Sequence, residues 1–441
     1  MAAEGILRAE VGEPAHGGHC VARVDGRVVF VRHALPGEEV LIEVTDRRSR
    51  FWRGQAIEVL RPSPDRVEHV WPEAGPGGVG GAELGHATLP AQRRWKAHVL
   101  AGVLRRIGGQ QVADDVAAAD GGAQALTEVA ALPGDDATRG LGTRTRVTLT
   151  VDPGGRAGMH RHRSATVVPL RAMPLAVAST WDLGLFGEGS PWRRVWRPGS
   201  RVDVVAPSVG EPLVLVDGQP TGRKGPVGRR VVRERVVLDD GAVLYDGAVL
   251  DDGAVLEYRV DAGGFWQVHK EAPRALIGAL LRAGTRSGVL GEGSRVVELY
   301  SGAGLLTAPL ARIVGPAGRV VSLEQSERAV RDARRTLHAH PWAELREAEV
   351  GVGTVRRALI DAAGPDLVVL DPPRSGAGEA VIAEVCAGRP GAIVLVACDP
   401  AALARDLAAA RAAGYVVRHV EALDLFPHTH HLEVVALLAP A

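Results

Sequence analysis

The sequence predicts an α/β protein. A parallel-sheet domain fills residues 266–441, behind a small β-barrel (1–62) and a central α+β domain (63–265). Three observations predict this. From about residue 266, apolar strand-like runs alternate with helical patterns, the order that builds a mainly parallel sheet with helices on both faces. The first sixty residues carry only short alternating segments between turn signals, which suits a small closed barrel. At 441 residues the chain is too long for one compact core.

The elements follow in order. "ILRAEV", "HCVARVDGRVVFVRHA" and "EEVLIEVTDRRSRFWRGQAIEVL" alternate Val, Ile and Arg, with turns signalled at Asp25-Gly26 and Pro36-Gly37-Glu38. Segment 63–90 is rich in Gly and Pro and reads as irregular. Residues 91–107, "AQRRWKAHVLAGVLRRI", put Trp95, His98, Val99, Val103 and Leu104 at helical spacing, a helix expected to pack on the C-terminal domain. Residues 111–140 are acidic and Ala/Gly-rich and read as an exposed loop. Strand patterns return from 144 to 235. Within 239–256, Asp-Gly-Ala-Val-Leu occurs three times; each Asp-Gly favours a tight turn, so a local hairpin insertion is expected.

Composition sets limits. Fifty-two basic residues balance fifty-two acidic ones, so net charge announces no partner. Three cysteines, Cys20, Cys386 and Cys398, argue against a disulfide framework and a thiolate metal cage. The start "MAAEGILRAEVGEP" lacks the pattern of a signal peptide. No apolar run reaches the ~18–20 residues of a membrane span. A cytoplasmic protein without a membrane partner is expected, and a monomer.

Four places along the C-terminal half carry candidate chemistry. "VVELYSGAGLLT" is a strand ending at Glu298, then Gly302-x-Gly304 and a helix; the glycines admit a ligand close to the backbone. Glu324 ends the next strand, about twenty residues on, where a carboxylate accepts the two hydroxyls of a ribose. "VVLDPPRSGAG" ends a buried strand with Asp371-Pro372-Pro373-Arg374, and the prolines turn the chain off the ligand-binding edge. Cys398 closes "AIVLVA" ahead of Asp399-Pro400 and a helix. A helix N-terminus favours thiolate, although a strand-end cysteine is more often apolar filler, the reading given to Cys20 and Cys386. "FPHTHHLEVVALL" gathers His428, His430, His431 and Glu433. No metal is expected there, and Glu433 reads as an acid–base group.

Together these residues resemble the RNA uracil-5-methyltransferases, and the resemblance covers nearly the whole chain. "DGRVVFVRHALPGEEV" is similar to the RNA-binding TRAM barrel. "GGFWQVHKEAPRAL", "ELYSGAGLLTAPLA", "DPPRSGA", "VACDPAALARDL" and "FPHTHHLEVVALL" follow in family order. The resemblance implies a Rossmann-like class I methyltransferase domain and S-adenosylmethionine as cofactor. It implies cofactor contacts by Gln267, Tyr300, Gly302, Gly304, Glu324 and Asp371. It also implies Cys398 as nucleophile, Glu433 as base, and Arg374 and Arg405 orienting the target base or catalytic loop. The implied partner is RNA, 23S rRNA ahead of tRNA.

Departures from the family pattern are His269 and Leu305, where asparagines are usual, and Asp399-Pro400-Ala401-Ala402 after the cysteine. Some members hold an iron–sulfur cluster through four cysteines. The best-matching positions here are Glu73, Val79, Ala82 and Met173, which implies no cluster.

For RNA contact, residues 221–235 carry six basic side chains against one acid, and "WRRVWRPGSR" mixes arginine with tryptophan, a composition suited to phosphates and base stacking. Two other readings stay open: an RNA-binding relative without turnover, and a methyltransferase acting on a small molecule or protein.

Overall fold

The computed structural model describes residues 6–238 and 254–441. The Asp-Gly-Ala-Val-Leu repeat therefore lies almost wholly outside the described residues. The strands on either side of it, Val231–Val237 and Val255–Asp261, pair antiparallel in unbroken register.

Five strands (Ile6–Ala15, His19–Val24, Arg27–Arg32, Glu39–Arg47 and Trp52–Arg61) close into a barrel. Its second hairpin turns through Asp25 and Gly26, both at positive φ, as a two-residue turn of this sequence demands. Residues 146–226 form an antiparallel seven-stranded sheet. Its Trp192 and Trp196 stack on each other at 5.9 Å in that unit's core, and their indole N–H groups donate to the Leu183 and Gly155 carbonyls. These two rings are therefore closed to nucleobases, contrary to the stacking role read from "WRRVWRPGSR".

The C-terminal sheet has seven strands: β1 (Arg295–Leu299), β2 (Arg319–Glu324), β3 (Ala343–Glu347), β4 (Leu367–Leu370), β5 (Ala392–Ala397), β6 (Tyr415–Leu423) and β7 (Glu433–Pro440). Their order is β3-β2-β1-β4-β5-β7-β6, parallel except for β7. Alternate residues feed opposite faces. Val297, Val368 and Leu395 join one core, Val296, Val369 and Val394 the other. Burial on both faces explains the near-continuous Val/Leu/Ile runs.

The first of those cores extends into the barrel and into the helix Leu89–Val103, which ends in a π turn, Leu104–Gly108. Trp95, Val99, Val103 and Leu104 are buried as the helical spacing predicts, whereas His98 is exposed. The same helix also buries Gln92, Arg93 and Lys96. Lys96 has no exposed surface; its ammonium donates to Asp424 and to the Phe426 carbonyl. Gln92 accepts the His428 N–H at 2.7 Å and donates to the Leu84 and Ala87 carbonyls.

Residues 111–140 are not the exposed loop that their composition suggests. Helices Gln110–Ala118, Gly122–Ala125 and Asp135–Thr138 pack there, with Val112, Val116, Ala125 and Val129 buried. Asp120 and Ala130 bridge to His419 and Leu423, so the segment covers the β6 edge of the sheet. Among the described residues, no helix is long and apolar enough to cross a membrane.

Removing one partner of a buried ion pair strands the other. Lys96→Met is expected to cost about 3–5 kcal/mol, and Lys96→Met with Asp424→Leu to recover most of it, as measured by urea unfolding.

Candidate active site

The register of the sheet assembles the site. Leu299 pairs with Leu323 and with Leu370. Tyr300, Glu324 and Asp371, each one step further along, therefore leave β1, β2 and β4 side by side at the carboxyl edge. There the strand order reverses and ligands of such sheets bind. On the other side Ala397 of β5 lies opposite Val434 of β7. One step outward in this antiparallel register, Cys398 faces Glu433, a cross-strand relation that sets Cβ atoms about 5 Å apart.

The turn after β1 is built for close approach. Tyr300, Gly302 and Gly304 have φ of +64°, +54° and +85°. A tyrosine in the left-handed region is uncommon, and such outliers cluster at functional sites. A Cβ at Gly302 would meet nothing within 4 Å, whereas one at Gly304 would press on the Ala333 Cβ at 3.2 Å. Gly302 thus forms an open ledge, and Gly304 lets the turn pack on the helix Glu327–Thr336.

Glu324 accepts the Gly302 N–H at 3.0 Å through one oxygen and the Ser326 N–H at 2.7 Å through the other. A carboxylate offers about four acceptor sites, so roughly two remain. Beneath the turn, burial pushes the Glu298 carboxyl up to about 7, against a hydrogen bond from Ser322 at 2.9 Å. Leu305 points into the core and offers no polar contact; its carbonyl accepts the Tyr258 hydroxyl at 2.9 Å.

Gln267 borders a separate opening. It lines a cleft of about 620 Å³ with Thr145, Trp266 and Lys270, and none of Tyr300, Gly302, Gly304, Glu324 or Asp371 lines that cleft. His269 is buried, accepting the Glu271 N–H and pairing with Asp135 at 3.1 Å.

Cys398 lines a smaller cleft, of about 100 Å³, whose walls come from three parts of the chain. His16 and Gly17 come from the barrel, Trp95 from the Leu89–Val103 helix, and Arg374, His430 and His431 from the C-terminal domain. The Trp95 indole N–H is buried and has no hydrogen-bond partner. Its apolar spacing hid that donor.

The thiol does not enjoy the helix dipole as its position suggests. Asp399 caps the helix Pro400–Ala412, accepting the Ala401 and Ala402 N–H groups at 2.9 and 2.8 Å, so a carboxylate already occupies the positive end. Burial, then Glu433 and Asp371, push Cys398 up to about 12, and the Arg374 guanidinium pulls it down. Burial also raises Asp371 and Glu433; Glu433 is raised further by Asp371 and lowered by Arg374. Cys20 and Cys386 are buried fillers, as expected.

Arg405 donates to the Ser375 carbonyl at 3.3 Å, and Asp406 accepts the Ala377 and Gly378 N–H groups at 2.9 and 3.0 Å. The helix after Cys398 therefore holds the loop that carries Arg374. Asp406 escaped the sequence reading because a lone helical aspartate reads as solvated. His428 is a structural residue held by Gln92, and His430 pairs with Glu83.

Comparison with known proteins identifies the lineage. The TRAM domain family model matches residues 6–57, and the tRNA (uracil-5-)-methyltransferase model matches 355–440. A protein-L-isoaspartate O-methyltransferase model matches 275–356, short of Cys398. An uncharacterized RNA methyltransferase of Streptomyces avermitilis is 39% identical over 98% of each chain. The 23S rRNA (uracil(1939)-C(5))-methyltransferase RlmD of Halomonas elongata is 30% identical, covering 96% of this chain and 87% of its own.

The chain belongs to the RNA uracil-5-methyltransferase family. Its fold matches the tRNA (uracil-54, C5)-methyltransferase of Pyrococcus abyssi, solved with S-adenosyl-L-homocysteine, with a TM-score of 0.66 at 20% identity over 98% and 99% of the two chains. The barrel is thus the TRAM domain, and the C-terminal sheet is that of a class I, S-adenosylmethionine-dependent methyltransferase. The open ledge at Gly302 and the spare acceptors of Glu324 fit an adenosine-type cofactor.

A thiol held this high gains thiolate about tenfold per pH unit below its pKa. Iodoacetamide alkylation of Cys398 in the free protein is expected to climb steadily from pH 7 to 10 without a plateau. It should slow by on the order of tenfold in Arg374→Ala, where a pair charge is lost. Mass spectrometry of the Cys398 peptide reads both; a plateau near pH 8 would contradict this electrostatic account.

Proposed function

We propose that the chain forms 5-methyluridine in 23S rRNA through a covalent bond between Cys398 and C6 of the target uracil. The reading rests on the cross-strand placement of Cys398 opposite Glu433, beside Asp371 and Arg374. Uracil C5 is a poor nucleophile. Addition of the Cys398 sulfur to C6 consumes the C5=C6 double bond and leaves an enolate whose carbon end is C5. Tyr300, Gly302, Gly304, Glu324 and Asp371 would hold S-adenosylmethionine, which would supply the electrophilic methyl to C5 and depart as S-adenosylhomocysteine. Glu433 takes the C5 proton; the electron pair restores the double bond and expels the Cys398 thiolate. Arg374 stabilises the anions at both ends of this sequence, and Arg405 positions its loop. Gln267, at the mouth of the cleft beside Thr145 and Trp266, is assigned to the same cofactor.

The target base reaches this pocket only if it is flipped out of the RNA. Trp95 lines the cleft beside Cys398, where its ring can border a flipped base. The barrel offers a graded RNA surface: Arg27 and Arg47 lie over Trp52 at 4.6 and 5.0 Å, and Arg53 over Phe51 at 4.9 Å. Half-exposed aromatics with arginines suit single-stranded RNA. In 221–235, by contrast, Arg230 and Arg235 are paired with Asp261 and Glu257.

We favour 23S rRNA because the RlmD relative shares 30% identity against 20% for the tRNA enzyme. We assign a cytoplasmic monomer without an iron–sulfur cluster. Val79, Ala82 and Met173 pack in an apolar core, and Glu73 accepts the Arg171 and Trp71 N–H groups. Methyl transfer to a protein has the isoaspartate-type match in its favour, yet that match ends before the residues that set this site apart.

With S-adenosylmethionine and a 5-fluorouridine-substituted 23S rRNA transcript, C5 has no proton to lose, so a denaturation-resistant adduct through Cys398 is expected. Cys398→Ala should form none and drop below about 10⁻³ of parental turnover. Glu433→Gln should add and methylate normal RNA yet accumulate the adduct. Turnover persisting in Cys398→Ala would transfer the case to the protein or small-molecule reading; an adduct on tRNA alone would change the substrate. Trp52→Ala should weaken RNA binding about tenfold by filter assay.

A further inference from the structure

We propose that His33, His69 and His86 bind a zinc ion that clasps the rim of the barrel to the segment leading into the Leu89–Val103 helix. One ring nitrogen from each lies within 4.8 Å of the others. Ring centroids are 6.3, 5.9 and 6.2 Å apart in the three pairs, a near-equilateral triangle. Tetrahedral zinc with bonds of ~2.0–2.1 Å spaces its nitrogens about 3.4 Å apart, so a modest inward turn of the rings closes the site.

The unpaired nitrogens carry the argument. His33 and His86 are more than nine-tenths buried, yet His33 Nδ1 and both nitrogens of His86 lack a hydrogen-bond partner, apart from a weak approach of His86 to the Ala34 backbone. Buried imidazoles ordinarily find partners, so three orphaned nitrogens facing a third ring call for an occupant. Burial first, then neighbouring cations, lowers the proton affinity of all three rings, with His33 near 3. They are neutral, the form that ligates metal.

The surroundings are pre-organised. His33 holds φ +59° at the end of the strand Arg27–Arg32, and its carbonyl accepts Arg66 at 2.9 Å. The 66–70 and 84–87 stretches are cross-bonded through Val67 to His86 and Val70 to Gly85. Arg66, the nearest repelling charge on two of the rings, is neutralised by the fully buried Glu38. His69 gives up one of two local hydrogen bonds, to the Trp71 N–H or the Ala82 carbonyl. Being half-buried, it leaves a side open for a fourth ligand, such as water. A second cluster, Glu83 with His430 and His431, is the competing site, but Glu83 and His430 already satisfy each other.

The full-length chain, stripped with chelator, would be titrated with Zn²⁺ by calorimetry and with Co²⁺ by visible absorption. One ion per chain is expected, with Co²⁺ giving the intense d–d bands of tetrahedral coordination and zinc raising the unfolding temperature. His69→Gln, at a half-exposed position that tolerates change, should lower affinity at least tenfold, and His33→Gln likewise. Glu83→Gln should leave affinity unchanged. The proposal is overturned by absence of stoichiometric binding, by unaltered affinity in His69→Gln, or by loss in Glu83→Gln alone. None of these readouts uses methyl transfer, so failure here is separable from failure of the catalytic reading.

Discussion

The geometry at Cys398 depends on a lysine with no exposed surface. An ammonium buried that completely is tolerable only beside a carboxylate, and the carboxylate is Asp424, at the start of the loop that delivers Glu433. The same helix sends Gln92 to His428 further along that loop. Two polar contacts from outside the methyltransferase sheet thus fix the entry to β7, and β7 fixes Glu433 opposite Cys398. Packing alone would not do this. Apolar contacts tolerate sliding, whereas a buried charge pair tolerates almost none.

The site itself is crowded with acid. Glu298, Asp371 and Glu433 are all buried enough to hold protons above the usual carboxylate range, and each added negative charge makes the next harder to form. Arg374 is the cation that acts on both Cys398 and Glu433. A resting protein with a quiet thiol follows directly.

The sheet edge was legible because its chemistry stands at strand ends. Glu324, Asp371, Cys398 and Glu433 each close or open an apolar run, and the period-two pattern leaves little freedom in where such residues emerge. The supporting shell was not legible. Gln92, Arg93 and Lys96 are polar residues on a buried helical face, and no periodicity separates them from solvated ones. Trp192 and Trp196 sit among arginines in sequence but fold inward to stack on each other. Residues 111–140 lack long apolar runs because short helices need only Val112, Val116, Ala125 and Val129 to cover one sheet edge.

The barrel's place in this arrangement goes beyond tethering. Its loop His16–Gly18 enters the wall of the Cys398 cleft, where His16 lies 3.4 Å from Asp399, the cap of the helix behind the nucleophile. Gly18 has φ +76°, and a Cβ there would come within 2.9 Å of Glu83, so the loop is seated closely against the segment that follows the barrel. The wall of the Cys398 cleft is therefore shared between the barrel and the C-terminal domain.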